Sequence, residues 1–199
     1  MAYEIHPLFS CPVMQRPTDV AEFTDVLEYC KGLKYIENVG KNFTSEDTDI
    51  LSNPVFIDIK KIIEESIDEY TKDLMGWQHE FYITQSWLNV NPPGTTHHEH
   101  YHFNSIVSGT FYLKVGQPDF ITFLSGSKLA LDLTVDNPNI WNSHRYDVEL
   151  KDNMTVLFPS STLHRVGENR SNYNRVSIAF NVFVKGQLGN KRRLTYLQL

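Results

Sequence analysis

The sequence predicts a mainly β protein, an antiparallel sandwich or barrel of the jelly-roll type, with two amino-terminal helices packed against one outer face. Three observations carry that expectation. After Gly76 the chain runs through short segments rich in β-branched and aromatic residues, bounded by Gly, Pro, Asn or Asp. No helical pattern separates them, and strands without crossover helices cannot build a parallel βαβ sheet. The 199 residues, 41% hydrophobic and 13% aromatic, suffice for one buried core, so a single domain over residues 1–199 is expected, helical to about residue 76 and β from about 80 to 185.

Taken in order, TDVAEFTDVLEYCKGL from Thr18 places Val20, Phe23, Val26, Leu27 and Cys30 at three- and four-residue steps. Thr18 or Asp19 is available as its cap, and Gly32 lies near its end. The segment KNFTSEDTDILSNP that follows is polar and turn-rich. A second helix is predicted from about Phe56 to Leu74, where Ile57, Ile59, Ile62, Ile63, Ile67 and Tyr70 form a broad apolar face and Gly76 stops the run. The predicted strands are FYITQSWLNV, then SIVSGTFYLKV after the NPPG turn, ITFL, KLALDLTV, DVEL, MTVLF and VSIAFNVFV.

Composition excludes several classes. With 18 Lys and Arg against 24 Asp and Glu, the net charge of −6 offers no basic footprint for nucleic acid or anionic membranes. Lys191, Arg192 and Arg193 read as a solvated tail. Cys11 and Cys30 form no CxxC pair and suggest free thiols in a reducing compartment. The N-terminus lacks a signal-peptide pattern, and no apolar run approaches the roughly 18 residues of a membrane span, so a soluble cytoplasmic protein is expected.

The chemistry concentrates in GTTHHEHYH, which holds His97, His98, Glu99, His100 and His102. On a regular strand His98, His100 and His102 share one face, and His97, Glu99 and Tyr101 the other. Two donors at i and i+2 enter one pocket, and imidazole suits iron, zinc, copper and nickel. A catalytic centre needs a third donor from elsewhere, and His164, just past the strand that ends at Phe158-Pro159, is the candidate. His97 and Glu99 form a rival pair at the same spacing, with His98 left to support either set. His6, His79 and His144 have no partner pattern and read as ordinary histidines. The polar, aromatic segment DNPNIWNSHRYD reads either as a plain loop or as a lid reaching substrate through Trp141, Arg145 or Tyr146.

The ordered set SWLNVNPPGTTHHEHYHFNSIVSGTFYLKV, VLFPSSTLHRV and NRVSIAFNVF resembles the 2-oxoglutarate and Fe(II)-dependent oxygenases, within them a group found in marine bacteria and phages. The resemblance spans roughly Phe81 to Val184. An H-x-[HDE] pair alone is unspecific; the pair, the SGTFYL strand, the LFPS…H strand end and the H-x10-R spacing together are specific. The family implies a double-stranded β-helix, in agreement with the strand pattern. It makes His100, His102 and His164 the Fe(II) ligands and Arg175 the partner of the distal carboxylate of 2-oxoglutarate, with Ser177, Tyr112 and Asn89 beside it. Arginine's planar fork matches a carboxylate. The family's usual motif is H-x-D, and His102 stands where the Asp would be. Three neutral imidazoles leave the metal one charge more positive.

The implied activity is an Fe(II)- and 2-oxoglutarate-dependent dioxygenase that hydroxylates a small-molecule or peptide substrate with O2, releasing succinate and CO2. A homo-oligomer is left open. Two other readings stay open: a three-histidine cupin-type metalloenzyme that makes no use of 2-oxoglutarate, and a non-catalytic jelly-roll binding or structural protein.

Overall fold

A computed structural model of the chain describes residues 4–20, 22–126 and 133–199. The predicted strand KLALDLTV falls largely outside the described residues. In chain order the elements are β1 (Met14–Pro17), α1 (Thr24–Lys31), β2 (Tyr35–Glu37), β3 (Phe43–Ser45), α2 (Ile57–Asp68), β4 (Glu80–Asn91), β5 (His97–His100), β6 (Val107–Lys114), β7 (Phe120–Leu124), β8 (Arg145–Glu149), β9 (Met154–Pro159), β10 (His164–Val166), β11 (Arg175–Lys185), β12 (Gln187–Leu188) and β13 (Leu197–Gln198).

A seven-stranded antiparallel sheet in the order β1-β9-β6-β11-β4-β3-β2 faces a four-stranded sheet in the order β5-β10-β7-β8. This is the predicted double-stranded β-helix. Its longest ladder joins β11 to β4 from Arg175 opposite Asn91 to Lys185 opposite Glu80, with one irregularity beside Asn181. Residues alternate across β11. Arg175, Ser177 and Ala179 face the space between the sheets, where they line a cavity, while Ile178, Phe180 and Val182 pack under the helices.

Two apolar clusters hold the layers. Ile59, Ile63, Ile67 and Tyr70 of the second helical run pack on Leu88, Phe111, Leu157, Ile178 and Phe180, the outer face of the large sheet. Tyr112, Ile121, Phe123, Val148, Met154, Val156 and Phe158 fill part of the interval between the sheets.

The helical half departs from expectation at three points. The first helix begins at Thr24 with Phe23 at its cap and no side-chain cap bond, so neither Thr18 nor Asp19 caps it; Asn153 donates to the Val20 carbonyl, holding the preceding segment in an extended path. In the second helical run Ile57 is 63% exposed and lies off the apolar face, whereas Ile59, Ile63 and Ile67 are buried. That run is preceded by a 3-10 turn at Pro54–Phe56 and continues as a π-helix from Glu69 to Leu74. Gly76, at φ +66, ends it. The polar segment before it supplies β3, which with β2 just upstream extends the large sheet beyond β4. Both cysteines are free. No described helix is long and apolar enough to cross a membrane.

Candidate metal centre

The small sheet carries the histidines. His164 on β10 stands directly opposite His100 on β5, and the next pair is Val166 with His97. Three residue steps on β5 thus face two on β10, so β5 carries a bulge. The bulge breaks the alternation a regular strand would have. His97, His100 and His102 all line the interior cavity together with His164. Glu99 points away, into an exposed ion pair with Arg165 at 3.5 Å. The expected division into 98/100/102 and 97/99/101 faces is therefore wrong, and His98 does not line the cavity.

His100, His102 and His164 place one ring nitrogen each within 4.8 Å of one another. Their ring centroids lie 4.3 Å (His100–His164), 5.1 Å (His100–His102) and 5.3 Å (His102–His164) apart. Backbone carbonyls set two of the tautomers. His100 Nδ1 sits 2.8 Å from the His98 carbonyl oxygen and His164 Nδ1 2.9 Å from that of Thr162. A carbonyl only accepts, so both Nδ1 atoms carry the proton and both Nε2 lone pairs are left for a metal. His102, past the end of β5, is fixed by its backbone N–H on the Ser160 carbonyl at 2.9 Å.

Burial keeps these rings neutral. Desolvation, followed by the neighbouring His100, lowers His102 to about 4, and the same two causes take His164 to about 3. Burial lowers His100 as well, and desolvation followed by His100 and His98 takes His97 to about 3. At neutral pH the cluster is a set of lone-pair donors without charge. Trp87 at 5.9 Å from His102 and Phe158 at 4.5 Å from His164, centroid to centroid, pack beside the cluster, in which His164 is buried and His100 and His102 are half-buried.

The other residues singled out in the sequence lie on the large sheet across the cavity. Asn89, Ser177 and Tyr112 form one row on β4, β11 and β6, and Asn91 and Arg175 form the next. Arg175 is 1% exposed. Its Nη1 meets Asp119 Oδ1 at 2.6 Å and its Nη2 donates to the Gly167 carbonyl at 3.1 Å. The Tyr112 hydroxyl and the Asn91 amide nitrogen are buried without a partner, which leaves donors for a bound acceptor group. The free volume is about 30 Å³, roughly one water's worth.

Sequence reasoning missed three contributors, Asn91, Trp87 and Asp119, and placed His97 on the wrong face. His97 enters the cavity because of the bulge, and its Nδ1 lies 3.3 Å from the amide nitrogen of fully buried Asn42. Asn91 extends the row beyond Asn89, a period-two signal that was there to be read. Trp87 also lines the cavity. Asp119 carries no local signal, since its partner lies 56 residues away. Trp141, Arg145 and Tyr146 do not line the cavity; Arg145 and Tyr146 border a separate open groove with Phe9, Cys11 and His144.

The double-stranded β-helix thus gathers His100, His102 and His164 at one end of its small sheet as a set that could hold a metal ion. Residues 85–181 match the family described as "Putative 2OG-Fe(II) oxygenase". Among solved structures the chain is similar to the non-heme alpha-ketoglutarate-dependent epimerase SnoN from nogalamycin biosynthesis, with a TM-score of 0.64 and 15% identity over 86% of this chain and 76% of that one. It is also similar to HygX from Streptomyces hygroscopicus, solved with nickel and 2-oxoglutarate bound (0.58, 12%, 85% and 82%). A third is a prolyl-4-hydroxylase from Pseudomonas putida (0.57, 14%, 87% and 94%). At these identities the likeness is one of fold. A search of the curated proteins gives no significant match.

Proposed function

We propose that the protein is an Fe(II)- and 2-oxoglutarate-dependent dioxygenase that hydroxylates a small-molecule or peptide substrate. The observation that carries the reading is the donor set: three neutral imidazoles within 4.8 Å, two with their Nδ1 protons committed to carbonyls. His100, His102 and His164 hold the iron. Bound together, ferrous iron and 2-oxoglutarate supply an O2-dependent oxidation in which the 2-oxo acid leaves as succinate and CO2.

The chain's own part is binding, orientation and exclusion of water. Of the five N–H donors of Arg175, two are engaged, and the rest grip the distal carboxylate. The Tyr112 hydroxyl donates to the same group, and Ser177 and Asn89 border it. Trp87 and Phe158 pack beside the metal side. A five-carbon dicarboxylate needs more room than the resting cavity offers.

The test is to add Fe(II) and then 2-oxoglutarate under argon and admit air. A weak visible charge-transfer band and subsequent succinate are expected; no band and no succinate would remove this reading. One observation favours a second reading, a three-histidine metalloenzyme that makes no use of 2-oxoglutarate: Arg175 is already neutralised by Asp119. Arg175→Ala separates the two. The first reading expects 2-oxoglutarate affinity to collapse; the second expects metal binding and chemistry to continue unchanged.

A further inference from the structure

Behind Arg175, which lines the cavity, the Asp119 carboxylate is fixed from several sides. It is 4% exposed. Its Oδ1 accepts from Arg175 Nη1 at 2.6 Å and from the Phe120 backbone N–H at 3.0 Å, and its own carbonyl accepts the Leu150 N–H at 2.9 Å. Its Oδ2 is buried without a partner. A pair of opposite charges taken wholly out of water is costly unless something offsets it, so its retention asks for a reason.

The charge count supplies one. Three neutral imidazoles contribute nothing, Arg175 contributes one positive charge and Asp119 one negative. The cavity wall together with the carboxylate behind it is therefore neutral overall, as the wall alone would be if a carboxylate ligated the metal and the arginine stood unpaired. A divalent cation and a doubly charged 2-oxo acid then complete a neutral assembly in a buried place, where an uncompensated charge is expensive.

We propose that Asp119 is a positioning and specificity-determining residue: from behind Arg175 it supplies the negative charge that His102 omits at the metal, and so matches the cavity to a divalent cation bound together with a dianionic 2-oxo dicarboxylate. This rests on the proposed function above. It departs from a purely structural role in one respect. A carboxylate that merely braces Arg175 gives the same result whatever ligates the metal, whereas a compensating charge can be moved.

The experiment moves it. Wild type, His102→Asp, Asp119→Asn and the double variant are loaded with Fe(II) under argon, their metal content is measured, and 2-oxoglutarate is titrated calorimetrically. Asparagine keeps an oxygen for Arg175 and for the Phe120 N–H, so the substitution changes charge more than shape. His102→Asp is expected to weaken 2-oxoglutarate binding about tenfold, Asp119→Asn to tighten it about tenfold, and the double variant to return within about threefold of wild type. Weakening by Asp119→Asn in both backgrounds, with wild type binding normally, would overturn the inference and leave the proposed function standing. Failure of metal-loaded wild type to bind 2-oxoglutarate would overturn both. If Asp119→Asn does not fold by circular dichroism, His102→Asp alone decides: its preference for 2-oxoglutarate over the monoanion 2-oxobutyrate should fall about tenfold, and an unchanged preference contradicts the proposal.

Discussion

The two sheets of this protein are built to different standards. The large sheet runs long ladders, with β11 paired on both sides, interrupted once on each, and backed by helices. The small sheet is short-stranded, and its edge strand β5 is bulged and has one neighbour. Of the proposed metal donors, His100 and His164 sit on the small sheet and His102 just past its edge strand, and the groups facing them across the cavity sit on the large one. The difference teaches that a precise large sheet can serve as a datum against which a looser sheet presents its ligands. Regularity would have sent His97 away from the cavity, and the bulge brings it in.

The sharpest way to test that contrast is to remove one donor from the small sheet. His164→Ala should lower Fe(II) affinity by more than about 100-fold, beyond what loss of an outer supporting group costs, while far-UV circular dichroism stays that of wild type; titration under argon measures it. The regular sheet should instead fail by stability. A Cβ at Gly109 would lie 2.5 Å from Phe180 Cζ and 2.6 Å from Leu157 Cδ2, so Gly109→Ala is expected to cost about 1–3 kcal/mol, read from urea unfolding. It should leave metal affinity nearly unchanged.

Acid distinguishes the sheets more gently. In the unfolded chain the inward histidines titrate near 6.5, whereas folding lowers His97 and His164 to about 3 and His102 to about 4, burial being the main cause. Above 6.5 they are neutral in both states. Below it the unfolded chain takes up protons the folded one refuses, so metal-free protein should lose stability steadily as pH falls toward 4. His97→Gln should flatten that slope in urea midpoints measured across the range. The smallest effect belongs to Glu99→Ala, which removes only the exposed pair with Arg165. It should change stability by less than about 0.5 kcal/mol and iron affinity by less than about twofold.

Much of the regular half was legible. The apolar period of the second helical run with Gly76 after it, and the aromatic and β-branched strands of the large sheet, were visible because each element's own residues encode its period. The short strand Phe43–Ser45 was read as turn because three residues hold no pattern and its partners, Tyr35–Glu37 and β4, lie elsewhere in the chain. The faces of β5 were misread because its bulge is fixed by pairing with β10, a long-range register that alternation cannot foresee. His100, His102 and His164 stood out as residue types at a spacing, and the structure brings them together. Asp119 did not, because a lone carboxylate acquires meaning only when the fold delivers Arg175 to it.

Everything about the proposed chemistry turns on which side chains hold the iron. X-ray absorption at the iron edge, on protein loaded anaerobically with one equivalent of Fe(II), reads the imidazole ligands directly. Three imidazoles in wild type and in Glu99→Ala, falling to two in His102→Ala, is the expected result. A signal that survives His102→Ala and changes with Glu99→Ala would contradict it and hand the metal to the opposite register.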